Sequence, residues 1–359
     1  MAQLTYRPWR EGDDRALLEL WGDAEGAAAE QFRGALAPDS DGARGDVESR
    51  AMHDGASSPS AVGPRAATPP ALWRRCLVAE DQGIPVAAGV VYEAALHPAR
   101  LWAYVEVARD HRRAGVATEI LGRLREAAAG ATTVHAADAP LGAAKLRTKV
   151  TAGTSGAAFA EASGFTVLQR SREVLVRPGT LKLPVFGDGT EAGDSSPLVE
   201  DLATGSVELS DAVGRYYAEV HAWDPPAPIS VGRAQQLFLS DAAGAHGAVV
   251  LRAPAASAFG AGVAPAKKKG RLRAFAVSYA GPASAVAEQP SEVLLGHEVR
   301  LDPADAADAV RGLLALIAYQ HPVQLEVDDS MAAVRAAVDP LLAAGAVEQI
   351  GPETLTLGD

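Results

Sequence analysis

The residues that could do chemistry lie together in one run, Arg112-Arg113-Ala114-Gly115-Val116-Ala117-Thr118. Arg112 and Arg113 bring fixed positive charge. Gly115 has no β-carbon, so an oxyanion can approach the main chain closely, and Ala117 keeps the next contact small. Val116, Ile120, Leu121 and Leu124 then fall on one helical face, so the run opens a helix. At a helix N-terminus the first amide hydrogens have no partner within the helix, and the macrodipole puts partial positive charge there. Arg112, Arg113 and the main chain from Ala114 to Thr118 therefore compose a cradle for a pyrophosphate.

A strand must deliver the chain to this turn, and Leu101 to Val107 supplies it. Its alternation puts Leu101, Ala103, Val105 and Val107 on one face, to pack on the Val116–Leu124 helix, and Trp102, Tyr104 and Glu106 on the other. Upstream, residues 3–9 alternate as a first strand. Asp13 to Trp21 carries Leu17, Leu18, Leu20 and Trp21 at helical spacing, with Asp13 or Asp14 as cap. Cys76–Glu80 and Val86–Tyr92, around Gln82-Gly83-Ile84-Pro85, read as an antiparallel hairpin. Downstream, the spacing predicts a strand over Thr132–Ala136, a connection over Asp138–Gly153, and a helix over Gly156–Ser163 closed by Gly164. A strand over Phe165–Val176 follows.

The pattern Arg112-x-x-Gly115-x-Ala117 after Ala-Tyr-Val-Glu-Val resembles the acetyl-CoA-binding motif (R/Q)xxGx(G/A) of the GCN5-related N-acetyltransferases, and the flanking elements fit that family's order. The resemblance implies an α/β fold with a mostly antiparallel, twisted mixed sheet, a splayed central strand pair and flanking helices. It implies acyl transfer from acetyl-CoA to an amine by direct attack, with coenzyme A as product and no covalent enzyme intermediate. An amine with a pKa of about 10.4 is neutral about once in a few thousand molecules at pH 7, so a positioned base matters. Glu106 is the candidate base, ahead of Asp110 and Asp138. The Val107 amide is the candidate donor to the thioester oxygen, and Trp102 and Tyr104 line the acceptor side. Relatives often carry a thiolate-protonating tyrosine four residues before the closing glycine. Here that position is Ala160, which leaves Ser155, Thr154, a water or another tyrosine as the acid, or none. The rival reading is a non-catalytic acyl-CoA-binding sensor or scaffold with the same fold.

The chain's 359 residues suit two domains. The divisions expected are 1–178, with a mobile insertion at about 38–70 that is poor in large apolar residues; a linker at 179–205, rich in Pro, Gly, Asp and Ser; and 206–359. The second part repeats the order of elements: helices at Asp211–Ala222 and Ala234–Leu239, strands near Ala248–Arg252, Leu272–Tyr279 and Val293–Leu301, a helix at Ala304–Tyr319, a strand at Val323–Val327, and a helix at Met331–Ala344. Aligned without a gap, Glu298 stands at Glu106, but Ala304, Asp305 and Ala307 replace Arg112, Arg113 and Gly115. Asp305 and Asp308 would repel a pyrophosphate, so a tandem arrangement with a degenerate C-terminal copy is expected.

With 45 Asp and Glu against 33 Lys and Arg, the chain is no general nucleic-acid binder; Lys267-Lys268-Lys269 lacks interleaved aromatic residues. No apolar run reaches about 18 residues, so no membrane span and a cytoplasmic location are expected. Cys76 is the sole cysteine and the histidines do not cluster, so no metal is implied. The partner expected is a small-molecule or peptide amine. A homodimer, or the C-terminal domain as an internal partner, stays open.

Overall fold

The computed structural model describes residues 4–21, 27–42, 72–130, 144–187, 196–253, 270–279 and 290–359. They form two compact units, Met1–Leu168 with Leu355–Asp359, and Gln169–Thr354.

In the first unit, β1 (Thr5–Pro8), β3 (Trp73–Asp81), β4 (Ile84–Tyr92), β5 (Leu101–Val107) and β6 (Leu146–Thr151) lie in that order, with β2 (Ser40–Asp41) on β3. All neighbours are antiparallel except β5 and β6. The hairpin turns through Gln82 and Gly83, both at positive φ (51° and 83°), the two-residue turn that matches strand twist. Helices α1 (Asp13–Trp21) and α2 (Ala27–Ala35) cover one face, and α3 (Val116–Ala129) and α4 (Ser155–Ala162) the other.

The alternation of β5 decides which residues meet which layer. Leu101, Ala103 and Val107 pack with Val116, Ile120, Leu121 and Leu124 of α3, while Tyr104 packs with Trp9, Leu17, Phe32, Cys76 and Val90. The helix seats closely because β4 offers a glycine beneath it. A β-carbon on Gly89 would stand 2.4 Å from Ile120 Cγ2 and 3.0 Å from Leu124 Cδ1.

The second unit follows the same plan. After β7 (Thr166–Val176), whose residues from Gln169 belong here, come β8 (Leu198–Asp201), β9 (Gly247–Arg252), β10 (Leu272–Ser278), β11 (Ser291–His297) and β12 (Val323–Asp328), in the order β7-β12-β11-β10-β9-β8. Only β11 and β12 are parallel among these neighbours. Helices α5 (Val207–Val220), α6 (Pro303–Ile317) and α7 (Ala332–Ala343) pack on this sheet around Tyr216, Phe275, Leu313 and Val338.

Three expectations change. The Thr132–Ala136 strand lies outside the described residues, as does most of the 38–70 insertion, and the parallel partner of β5 is β6, inside the stretch read as a connection. Arg147 hid it: an arginine argues against a central strand, yet this one is 1% exposed, its guanidinium 4.1 Å from the Trp102 ring centroid and donating to His97 O at 3.4 Å. The 179–205 linker contains β8, paired antiparallel with β9. The units also divide elsewhere than at 178 and 206. Gln169–Val176 belongs to the second unit, where Ser171–Val176 pairs with β12, and Leu355–Asp359 belongs to the first. There the final strand, Glu348–Gly358, runs beside β6. Asp359 accepts from Leu146 N–H at 2.5 Å and donates its own N–H to Leu146 O at 3.2 Å. That strand went unread because Gly351 and Pro352 interrupt its alternation.

Replacing Gly89 by Ala pushes a methyl group into α3, and overpacking of this kind costs about 1–3 kcal/mol. Urea unfolding should register that loss; an unchanged midpoint would mean that α3 is not held against β4.

Candidate functional site

After β5 the chain makes a single 3₁₀ turn, Arg109–His111, and enters α3 through two left-handed residues, Arg113 (φ 66°) and Gly115 (φ 82°). Gly115 is the N-cap residue and no side chain caps the helix. The first turn closes with Glu119 N–H on Gly115 O at 3.0 Å, so the amides of Val116, Ala117 and Thr118 have no acceptor inside the helix. Arg112, Arg113, Ala114, Gly115 and Thr118 are exposed, Ala117 is half-buried, and the Val116 side chain anchors in the core. No heavy atom outside its chain neighbours lies within 4 Å of where a Gly115 β-carbon would sit. An anion can reach these amides. Arg112 also serves the fold, since its Nε donates to Val107 O at 2.9 Å.

The other half of the site comes from the parting of β5 and β6, which pair only at Leu101–Leu146 and Trp102–Arg147. Ala108 N–H bonds Val86 O at 2.8 Å, and Leu101 N–H bonds Lys145 O at 2.9 Å. Because successive main-chain groups alternate in an antiparallel ladder, those of Ala103, Val105 and Val107 point away from β4, toward β6. Beyond Trp102 they face the gap. A cavity of about 240 Å³ occupies it, lined from both sheet faces: Val105 and Leu121 from one, Phe32, Tyr104 and Glu106 from the other, with Thr148, Lys149 and Thr151 from β6 and Phe159 and Ala160 from α4.

Glu106 and Tyr104 thus share one cavity, but Trp102 is not among its lining residues; it stacks on Tyr104 at 5.8 Å and carries Arg147 on its ring. Glu106 is half-buried, and that burial holds its carboxyl above the ordinary range, while Arg33 and Arg112 draw it partway back. Ala160 does face the cavity. Thr154 is committed elsewhere, its hydroxyl donating to Thr151 O at 2.7 Å and accepting from Ala157 N–H at 3.3 Å. Ser155 does not line the cavity. The lining residues of β6 and of α2 escaped the sequence reading because neither element was read there.

The second unit answers the same positions with opposite chemistry. Ala304, Asp305 and Ala307 lie within the first five residues of α6, which begins directly after Asp302. Asp302 caps that helix, accepting from the amides of Ala304 at 3.1 Å and Asp305 at 3.0 Å, and Arg273 pairs with Asp305 at 3.0 Å. The helix carries its own anion. Glu298 is held by Arg215 through two bonds of 2.5 and 3.0 Å, which keep its carboxyl below the ordinary range.

No family model and no curated protein matches the chain. A GCN5-related N-acetyltransferase from Sphaerobacter thermophilus superposes over 99% of this chain and 95% of its own, at 13% identity and a TM-score of 0.51. This chain has the GCN5-related N-acetyltransferase fold. A tandem GNAT protein from the clavulanic acid biosynthesis pathway (16% identity, 99% and 98% covered, TM-score 0.45) and a GCN5-related N-acetyltransferase from Kribbella flavida (13%, 99% and 71%, 0.43) are also similar. The architecture expected, two copies of an α/β plan with a splayed strand pair, is the one found. No helix among the described residues is long and apolar enough to cross a membrane.

A carboxyl raised by burial works against the fold once ionised. Stability contributed at Glu106 is greatest while the group is protonated and falls as pH rises from the ordinary carboxylate range through its elevated folded value. Glu106→Gln should therefore melt no lower than the parent at pH 8, with its advantage shrinking toward pH 4. A marked loss of melting temperature at pH 8 would make Glu106 a structural ion.

Proposed function

We propose that the chain is an acetyl-CoA-dependent N-acetyltransferase whose working site lies in the first unit. The observation that carries this reading is a half-buried carboxyl, Glu106, in the strand gap directly before an uncapped helix N-terminus. When bound, acetyl-CoA supplies an activated acyl thioester. The open space before Gly115, the left-handed turn and the unbonded amides of α3 fit its pyrophosphate, with Arg112 and Arg113 adding charge-assisted contacts. Glu106 takes a proton from the acceptor's ammonium, directly or through a water, and releases the neutral amine for attack. The Val107 amide, which faces the gap, donates to the thioester oxygen as negative charge develops. A raised carboxyl shifts the acid limb of the rate profile upward, so activity climbs with pH through it.

Ala160 favours a second reading, a sensor that binds acyl-CoA without turnover: no phenol stands there to protonate a departing thiolate. Release of free thiol over a panel of amines separates the two. Full-chain titration with acetyl-CoA should give one site. Arg112→Ala should weaken it by about tenfold to a hundredfold, the worth of one charge-assisted bond of about 1.5–3 kcal/mol. Two sites, or unchanged affinity in the variant, would overturn the cradle. Glu106→Gln should keep that affinity and lower kcat by about 10²–10⁴, with a smaller deficit at alkaline pH; equal deficits at all pH values would remove Glu106 as the base.

A further inference from the structure

The face that presents Glu106 presents positive charge beside it. Arg147 lies in register with Trp102 and stacks on its ring, so Lys149, two residues on, shares that face. Among the residues lining the cavity, those with ionisable side chains are Glu106, Lys149 and Tyr104. Tyr104 is 6% exposed, and its hydroxyl is buried without a hydrogen-bond partner. The Lys149 main-chain amide lies against the phenol oxygen and draws the phenol's proton affinity down, but it is a donor, so the hydroxyl's own hydrogen still lacks an acceptor. Burial also pushes the phenol far above its ordinary range, so it keeps its proton and serves as a donor. A buried donor of this kind needs an acceptor that the protein does not supply. The remaining walls combine the apolar Phe32, Phe159 and Phe165 with Thr148, Thr151 and Thr154. At about 240 Å³ the space is below the roughly 300–1,000 Å³ of sites for drug-sized ligands.

Resting on the acetyltransferase reading, we propose that the acceptor is a small zwitterion, an amino acid with an apolar side chain. Its amine meets Glu106, and its carboxylate meets the Tyr104 hydroxyl and the Lys149 ammonium. A carboxylate accepts both donors, and Lys149 offsets the charge that it brings into a partly desolvated space. The chain's net charge of −12 would by itself favour cationic acceptors, so the local pattern and the global one make opposite predictions.

The test uses the full chain saturated with coenzyme A and matched pairs, phenylalanine against phenethylamine and leucine against isoamylamine, titrated calorimetrically. Each amino acid should bind at least tenfold more tightly than its decarboxylated partner. Lys149→Met should abolish that preference. Tyr104→Phe should cost the amino acid more than the amine while melting no lower than the parent, which a purely structural tyrosine would not do. Equal or reversed preference, absence of binding by both members, or a Lys149→Met loss shared equally by both overturns the proposal. Thiol release from acetyl-CoA with the same pairs keeps the two readings apart. Amines acetylated as well as amino acids sink the zwitterion and leave the transferase. Amino-acid preference in binding with no thiol released from any pair sinks the transferase and leaves the carboxylate site.

Discussion

The site depends on β5 and β6 parting after two paired residues. A parallel pair that stayed zipped would consume the main-chain donors and acceptors of Ala103, Val105 and Val107 and close the sheet between them. Parted, these groups need other partners, because an unpaired buried main-chain group costs free energy comparable to a lost hydrogen bond. Arg112 supplies one by bonding Val107 O, which ties the turn before α3 to the end of the strand. The amide of Val107 and the Glu106 side chain then stand where turn, gap and cavity meet. Gly89 completes the arrangement from beneath: by letting α3 sit low on β4, it fixes where the helix N-terminus points.

The two units show how few residues decide whether this plan leaves a helix N-terminus open or fills it from within. Both have a parallel pair joined at two positions and a helix following a strand with a glutamate at its end, Glu106 within β5 and Glu298 just after β11. In the first, a left-handed glycine starts the helix and leaves its amides open. In the second, Asp302 and Pro303 start the helix earlier and satisfy those amides internally. The glutamates diverge in the same sense, Glu106 raised by burial and Glu298 lowered by a forked arginine. An ion pair that neutralises Glu298 suits a structural carboxylate, whereas a base needs a free lone pair and a proton affinity near the working pH.

Much of this was legible in the sequence because it is local. The parity of β5, the turn geometry of Gly115, the hairpin at Gln82-Gly83 and the acidic start of α6 each follow from a few adjacent residues. The misread parts are those in which distant residues compensate for a local objection. Leu146–Thr151 carries two cations in six residues, and only Trp102 beneath Arg147 makes that acceptable in a central strand. Glu348–Gly358 is broken by Gly351-Pro352, and its apolar end, Leu355 and Leu357, finds its core with Leu101 and Leu146. No periodicity within a strand states which sheet it joins.

That last pairing bears on the site as well as on the fold. Strand β6 lines the cavity with one edge, and its other edge is closed by residues more than two hundred positions later, Asp359 bonding Leu146 across a separation of 213. Thr166 adds a bond to Gly358 O at 3.1 Å. A strand held on only one side, and there by two residue pairs, would be free to close on β5 or to fray from it. Held on the far side by Leu355–Asp359, it can stay parted from β5 without either. The gap between β5 and β6 is thus kept open by contacts of long sequence separation, which are costly to form early in folding. Residues 1–168 contain every side chain assigned to the site but not the strand that keeps their geometry.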